Sequence, residues 1–272
     1  MSASQCVVIT GSTRGIGRGM AEEFLRRGHN VVVSGRSAQA VHEVVLALGE
    51  VALNGAKVTG LACDVSEAQA LQNLWDHACS AFGRVDIWIN NAGVSHPRQR
   101  AGEMLEKDIR GVQETNLLGM MLATQITARG MLAQGGGTIY NMEGFGSNGM
   151  ALPGMSLYGA SKFALTYFNK ALATELKGSP VKLCYLSPGI VVTDLLKRDM
   201  GSTQSKDFQR SLRTYKILGD KVDTVAPWLV EQILKPQTHG ARVAWLTGRK
   251  AGGRFLMSLF RPRTVITEAD FG

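Results

Sequence analysis

The chain has 272 residues, 44% of them hydrophobic and 19% charged, with a formal charge of +8. Its mean hydropathy is near zero, which fits a folded water-soluble core and excludes a disordered chain; no apolar run approaches the roughly 18 residues a membrane span needs. The basic residues are spread along the chain without a nucleic-acid motif, so the charge points to an anionic cofactor, an anionic substrate or a membrane surface and not to nucleic acid.

Residues 1–5 run straight into Cys6-Val7-Val8-Ile9 with no basic segment or cleavage site, which predicts a cytosolic protein. Cys6, Cys63, Cys79 and Cys184 are far apart and form no CxxC, so they are expected as reduced, mostly buried thiols, with no metal site. Short β-rich runs fall at 7–10, 31–34, 58–62, 87–90, 138–141, 181–186 and 243–246. Helical patterns lie between them at 16–27, 38–48, 67–82, 103–131, 158–177 and 222–234. Strand and helix alternating in this way predict a doubly wound α/β fold, a parallel sheet with helices on both faces. One domain is expected over residues 1–247. A polar stretch at about 194–220 follows a strand end, where open α/β sheets bind ligands, and reads as a lid. Residues 248–272 form a basic and apolar extension.

The first strand run leads into Thr10-Gly11-Ser12-Thr13-Arg14-Gly15-Ile16-Gly17. Glycines between a strand and a helix let the backbone turn tightly and approach a pyrophosphate, which rests on the helix N-terminus. The spacing differs from GxGxxG, so position in the chain carries more of this reading than the glycines do. At the end of the second strand, where a carboxylate would bind the ribose 2′-OH of NAD, the chain has Ser34-Gly35-Arg36-Ser37. Arg36 and Arg14 instead offer guanidinium groups suited to a 2′-phosphate, which favours NADP(H) over NAD. Asp64 and Val65 end the third strand, where a short carboxylate can meet adenine. Asn91, Ala92 and Gly93 end the fourth, where small residues let a flat cofactor lie close to the backbone.

Tyr158 and Lys162 lie four apart on one helix face. A phenol with an ordinary pKa of about 10 is a poor acid or base at neutral pH, and a nearby ammonium favours its ionised form.

Together, TGxxxGIG, Asn-Asn-Ala-Gly, Asn116, YxxxK and Pro188-Gly189 with Thr193 resemble the short-chain dehydrogenases in order and approximate spacing, from Val7 to Leu246. The resemblance implies a Rossmann-type fold and a hydride transfer between nicotinamide and a carbonyl or alcohol carbon. It implies that Tyr158 exchanges a proton with the substrate oxygen, and that Lys162 lowers the Tyr158 pKa and holds the nicotinamide ribose. It also implies that Asn116 positions a water in a proton relay. Pro188, Gly189, Ile190, Val191 and Thr193 would line the nicotinamide, and the family's members commonly pair into dimers or tetramers.

One departure concerns the serine usual before the tyrosine. Here the chain reads Asn141-Met142-Glu143-Gly144-Phe145-Gly146-Ser147, with Gly144 where the hydroxyl belongs. Either Ser147 substitutes, or a backbone N–H at Gly144 polarises the carbonyl. This segment, the following YGASK and the C-terminal basic and apolar residues resemble the chlorophyll b reductase branch, which reduces a 7-formyl group with NADPH. The expected substrate is therefore a bulky apolar carbonyl compound. A generic 3-oxoacyl, steroid or sugar-alcohol dehydrogenase and a non-catalytic NADP-binding regulator are the alternatives. Apolar residues on more than one face of the helices at 103–131 and 158–177 predict a homodimer or homotetramer. In the extension, Arg249, Lys250, Arg254, Arg261 and Arg263 alternate with Phe255, Leu256, Met257, Leu259 and Phe260. Two readings follow: peripheral contact with a membrane, or apolar residues packed on the body with the arginines solvated.

Overall fold

The computed structural model describes residues 4–200, 206–261, 263 and 265. Seven strands form one all-parallel sheet in the order β3-β2-β1-β4-β5-β6-β7. They are β1 (Cys6–Ile9), β2 (Asn30–Gly35), β3 (Val58–Ala62), β4 (Ile87–Asn90), β5 (Gly137–Met142), β6 (Val181–Ser187) and β7 (Arg242–Ala244). The helices are α1 (Gly15–Arg26), α2 (Ala38–Gly49), α3 (Ala68–Phe82), α4 (Glu106–Val112), α5 (Gly119–Ala133), α6 (Ser156–Glu175), α7 (Asp194–Met200), α8 (Lys206–Leu218), α9 (Val222–Ile233) and α10 (Gly248–Ser258). This is the doubly wound Rossmann-type fold that the alternation predicts.

The two-residue period of a strand divides the core. Val7, Ile9, Val31 and Val33 face one side, where Met20 and Phe24 of α1 and Leu229 of α9 cover them. Val8, Val32, Trp88 and Ile139 face the other side, under Leu71 and Leu74 of α3 and Ala123 of α5. Both faces are dry, so these strands read as unbroken Val/Ile runs.

The long helix expected at 103–131 is interrupted. α4 begins at Glu106, and a π-helical turn, Gln113–Leu118, separates it from α5. The buried Asn116 sits in that turn. A widened turn of this kind frequently marks a functional position.

The stretch expected as a lid forms α7 and α8, while its residues 201–205 lie outside the described residues. In the extension, residues 262, 264 and 266–272 also lie outside them. Where the extension is described, it reverses the reading of apolar residues packed on the body with the arginines solvated. Arg254 and Arg263 are the partly buried members, both bonded to the buried carboxylate of Asp220 at 2.7 and 2.6 Å. Phe255, Leu256, Met257, Leu259 and Phe260 are exposed. The physical reason is Asp220: a buried carboxylate needs charged donors, so Arg254 and Arg263 turn inward and the apolar residues of α10 and of the two positions after it turn out. Cys6, Cys63, Cys79 and Cys184 are all free thiols, and burial pushes Cys6 and Cys63 up to about 12. No described helix is long and apolar enough to cross a membrane.

Candidate active site

All the expected site residues gather at the carboxyl ends of the strands. After β1, Thr10 Oγ1 accepts hydrogen bonds from the backbone N–H groups of Asn91 (3.0 Å) and Ala92 (3.1 Å). Asn91 Nδ2 returns to the carbonyls of Thr10 and Gly11 at 2.9 and 3.0 Å. Ser12 Oγ donates to the Ile9 carbonyl at 2.7 Å and accepts from the Ser34 N–H at 2.9 Å. The loop is thus tied to the ends of both β4 and β2.

Gly11 has φ +62°, and a Cβ there would lie 2.7 Å from Ala92 Cα; one on Gly17 would lie 2.5 Å from Asn91 Nδ2. Only glycine permits this closeness. Arg14, the residue before α1, is extended; no side chain caps α1, and its first turn has no acidic residue. Its free N–H groups and positive dipole end fit a pyrophosphate. Gly15 lies against Thr193, whose Cγ2 would be 3.5 Å from an added Cβ, so the segment holding Pro188, Gly189, Ile190 and Val191 reaches the same crevice.

The two arginines differ in setting. Arg36 is exposed at the end of β2, beside Ser37, which caps α2 by accepting from the Ala40 N–H at 3.3 Å. Arg14 is exposed as well, with Nη1 3.9 Å from Asp194 at the start of α7. Asp64 turns one carboxylate oxygen to the Ser66 N–H (3.0 Å) and hydroxyl (2.7 Å). Val65 is buried, and a Cβ on Gly119 would lie 2.8 Å from its Cγ2.

Tyr158 and Lys162 are both buried on α6. Lys162 Nζ lies 5.8 Å from the Tyr158 ring centre and donates to the Met142 carbonyl at 3.2 Å. Burial lowers the lysine pKa from 10.5 to about 8, with Glu143 pulling the other way. A chain of buried amides fixes α6 on the sheet. Trp88 Nε1 donates to Asn90 Oδ1 (2.7 Å), Asn90 Nδ2 to Asn141 Oδ1 (2.7 Å), and Asn141 Nδ2 to Asn169 Oδ1 (2.6 Å). The Asn116 side chain grips both backbone groups of Val94 at 2.8 and 2.9 Å and reaches Ser161 Oγ on α6 at 3.3 Å. Gly93 follows the same clamp, since a Cβ on it would be 3.4 Å from Asn116 Oδ1.

A Cβ on Gly144 would lie 2.5 Å from the Tyr158 hydroxyl oxygen, so this backbone leaves no room for a serine at that position. The Gly144 N–H donates to Ser147 Oγ at 3.1 Å. Glu143 is held by Arg242 of β7, Nε to Oε2 at 2.8 Å and Nη2 to Oε2 at 2.7 Å. Among the described residues no group of three His, Cys, Asp or Glu forms a metal site.

Sequence reasoning missed Arg242 and Asp220, and quoted Thr10 in the loop motif without a role. Asp220 exchanges backbone hydrogen bonds with Ile190 and Val192 at 3.0 Å each and accepts from Trp245 Nε1 at 2.6 Å. It therefore joins α10 to the expected nicotinamide segment, and only the fold makes that link visible.

The short chain dehydrogenase family pattern matches residues 5–203. The chain is 37% identical over 254 residues to chlorophyll(ide) b reductase NOL of Arabidopsis thaliana, covering 90% of this chain and 71% of that protein. It is 36% identical to a probable chlorophyll(ide) b reductase of the same plant, but spans only 50% of that protein's length. A 7alpha-hydroxysteroid dehydrogenase of Escherichia coli is 32% identical, over 71% of this chain and 73% of the relative. Among solved structures, 3-ketoacyl-(acyl-carrier-protein) reductase from Brucella melitensis with NADH superimposes with TM-score 0.76 at 26% identity, covering 90% of this chain and 98% of the other. An alcohol dehydrogenase of Thermococcus sibiricus with 5-hydroxy-NADP shares the fold at TM-score 0.75 and 22% identity, covering 89% of this chain and 96% of the other. The chlorophyll(ide) b reductases are chloroplastic by name, which overturns the expectation of a cytosolic protein. That expectation rested on a few N-terminal residues, a slight signal beside relatives that share a third of all positions.

Proposed function

This chain belongs to the short-chain dehydrogenase family and is an oxidoreductase; on that premise we propose that it is an NADP(H)-dependent carbonyl reductase acting on a formyl group of a bulky apolar substrate of the chlorophyll b kind. The observation that carries the reaction is the buried pair on α6, an ammonium 5.8 Å from the Tyr158 ring centre. The substrate class rests on the 37% identity to a chlorophyll(ide) b reductase.

The residues at the strand ends suit the cofactor. The loop holding Gly11, Ser12, Thr13, Arg14, Gly15, Ile16 and Gly17 would hold the pyrophosphate, with Asp64 and Val65 at the adenine and Asn91, Ala92 and Gly93 beneath. Pro188, Gly189, Ile190, Val191 and Thr193 would face the nicotinamide. When bound, NADPH supplies the hydride to the carbonyl carbon. The Tyr158 hydroxyl gives its proton to the carbonyl oxygen, so an aldehyde becomes a primary alcohol. Lys162 would hold the nicotinamide ribose and stabilise the phenolate left behind. Asn116, buried beside Ser161, would order the water that returns a proton.

Three groups compete for the missing serine's role. Glu143 is engaged by Arg242, and the Gly144 N–H is already spent on Ser147. Ser147 Oγ accepts that bond and keeps its own hydrogen to donate, so Ser147 is the better donor to the substrate oxygen. The preference for NADP(H) rests on the β2 end, where Arg36 replaces a carboxylate and Ser37 offers a hydroxyl. Arg14 contributes less, because Asp194 draws it toward α7.

Two surfaces bear on partners. Between α5 and α6 runs a mainly apolar groove with Leu122, Ala128, Leu132, Phe168, Leu172 and Leu176, and we infer that a second copy covers it, as a homodimer or homotetramer. The exposed apolar residues of α10, with Arg249 and Arg261, suit contact with an anionic membrane surface.

Incubation with chlorophyll b and NADPH, followed by chromatography of the pigment, tests this reading. A hydroxymethyl product, formed faster with NADPH than with NADH, is expected. Turnover of 3-oxoacyl or steroid ketones without any change in the pigment would transfer the assignment to the generic dehydrogenases. Cofactor binding with no turnover of any carbonyl would favour a regulator.

A further inference from the structure

Among the described residues, five buried side-chain polar atoms find no hydrogen-bond partner, and four of them lie within residues 95–99: Ser95 Oγ, His96 Nε2, Arg98 Nε and Gln99 Oε1. A buried polar atom that nothing meets bears its whole desolvation penalty, so four in one short run point to a ligand. The run has no part in the cofactor crevice described above. It begins just past Val94, the residue clamped by Asn116.

Two neighbours locate the run on the substrate side. A Cβ on Gly154, in the loop between β5 and α6, would lie 2.9 Å from Arg98 Cβ, and the Gln99 N–H donates to the Gly154 carbonyl at 3.4 Å. Arg98 Nη2 donates to the hydroxyl of Tyr215 on α8, the lid helix, at 3.4 Å. The run is thus walled by the loop that carries Gly144 and Ser147 on one side and by the lid on the other.

The chemistry of the four atoms narrows the ligand. His96 is buried, and its Nδ1 lies 2.7 Å from the Pro97 carbonyl. A carbonyl can only accept, so Nδ1 carries the hydrogen and Nε2 accepts when the ring is neutral or donates when it is protonated. Arg98 always donates, and its charge meets no carboxylate among the described residues. Ser95 can donate as well. Gln99 Oε1 can only accept, while its amide nitrogen is held by Asp108 at 2.9 Å. Ser95 and Arg98 donate in every state and His96 joins them when protonated; donors with a guanidinium among them suit an anion, and a planar fork suits a carboxylate.

We propose that Ser95, His96 and Arg98 form a carboxylate-binding site, so that the substrate is a carbonyl compound carrying a free acid group remote from its reacting carbon. This inference rests on the reading of the chain as a carbonyl reductase. It separates a free-acid substrate from its ester.

The test uses aldehydes of increasing length that carry a carboxylate, from succinic semialdehyde to 4-carboxybenzaldehyde, each beside its methyl ester. kcat/KM is measured with NADPH for the wild type and Arg98→Gln. For at least one length the wild type is expected to favour the acid, chiefly through KM, and Arg98→Gln to lower the acid-to-ester ratio about tenfold. Tyr215→Phe removes the lid's contact with Arg98 and is expected to keep the acid preference; an equal loss there would assign the effect to the lid and overturn direct recognition. Calorimetric titration of the NADPH-loaded protein with the same acids and esters reads the site without turnover. No acid preference in either readout, at any length, overturns the proposal and leaves residues 95–99 as a solvent pocket. Acid preference without reduction of chlorophyll b or of its free acid, chlorophyllide b, would sink the tetrapyrrole reading and leave this site standing.

Discussion

The loop after β1 and the run after β4 start from neighbouring strand ends and are built in opposite ways. In the first, Thr10, Ser12 and Asn91 answer one another with hydrogen bonds of 2.7 to 3.1 Å, and glycines bring backbone against backbone. In the second, Ser95, His96, Arg98 and Gln99 keep polar atoms that no protein group meets. A rigid, satisfied loop suits a ligand that never varies, because nothing is reorganised when it binds. Unmet polar groups suit a ligand that differs between members of one fold, since they reject whatever fails to pair with them. Cofactor side and substrate side are thus distinguishable by how completely each satisfies itself.

The hardest test of that division is chemical. Tyr158→Phe keeps the ring and removes the transferable proton, so kcat should fall about 10²- to 10⁴-fold while NADPH affinity, measured by fluorescence titration, stays within about twofold. A matching loss of NADPH affinity would mean that the two sides are not separable at α6.

One added methyl group, placed on each side in turn, gives the next contrast. Gly11→Ala forces a residue with φ +62° to within 2.7 Å of Ala92 Cα, where only backbone can move. It should cost about 1–3 kcal/mol of stability and most of the NADPH affinity. Gly144→Ala meets the Tyr158 hydroxyl at 2.5 Å, which is the end of a side chain. The same Cβ would lie 3.1 Å from Lys162 Cε, so Gly144→Ala should lower melting temperature less than Gly11→Ala does, yet lower kcat about tenfold or more by displacing the proton donor. Equal melting losses in the two variants would contradict the comparison.

The satisfied side was legible in the sequence and the unsatisfied side was not, for a physical reason. A glycine loop between β1 and α1, or Tyr158 four residues before Lys162, is a local pattern whose spacing fixes its geometry. The orphaned atoms of residues 95–99 lie where the chain packs against Gly154 and Tyr215, 55 or more positions away. The fate of the C-terminal arginines depended likewise on Asp220, 34 positions before Arg254. The π-helical turn at Asn116 left no periodic signal, because an added residue in one turn looks like an ordinary apolar helix in sequence. Gly144 was visible as a departure, but the contact it allows with Tyr158 was not.

Lys162 offers the smallest effect and the sharpest sign. Burial lowers its pKa from 10.5 to about 8, so the folded protein binds that proton less tightly than the unfolded chain does. Below pH 8 both states carry the charge, and the folded state bears the full burial penalty. Between pH 8 and 10.5 the unfolded chain holds more protons, so wild-type stability rises with pH through this window relative to a variant without the amine. Lys162→Met, similar in length and uncharged, should therefore melt higher than the wild type at pH 7, by an amount of order 1–3 kcal/mol. That advantage should shrink as pH climbs from 8 to 10.5, while reductase activity is absent throughout. Melting of the cofactor-free proteins across that range checks it. If the difference stayed constant with pH, the ammonium would not be paying a desolvation cost in the folded state.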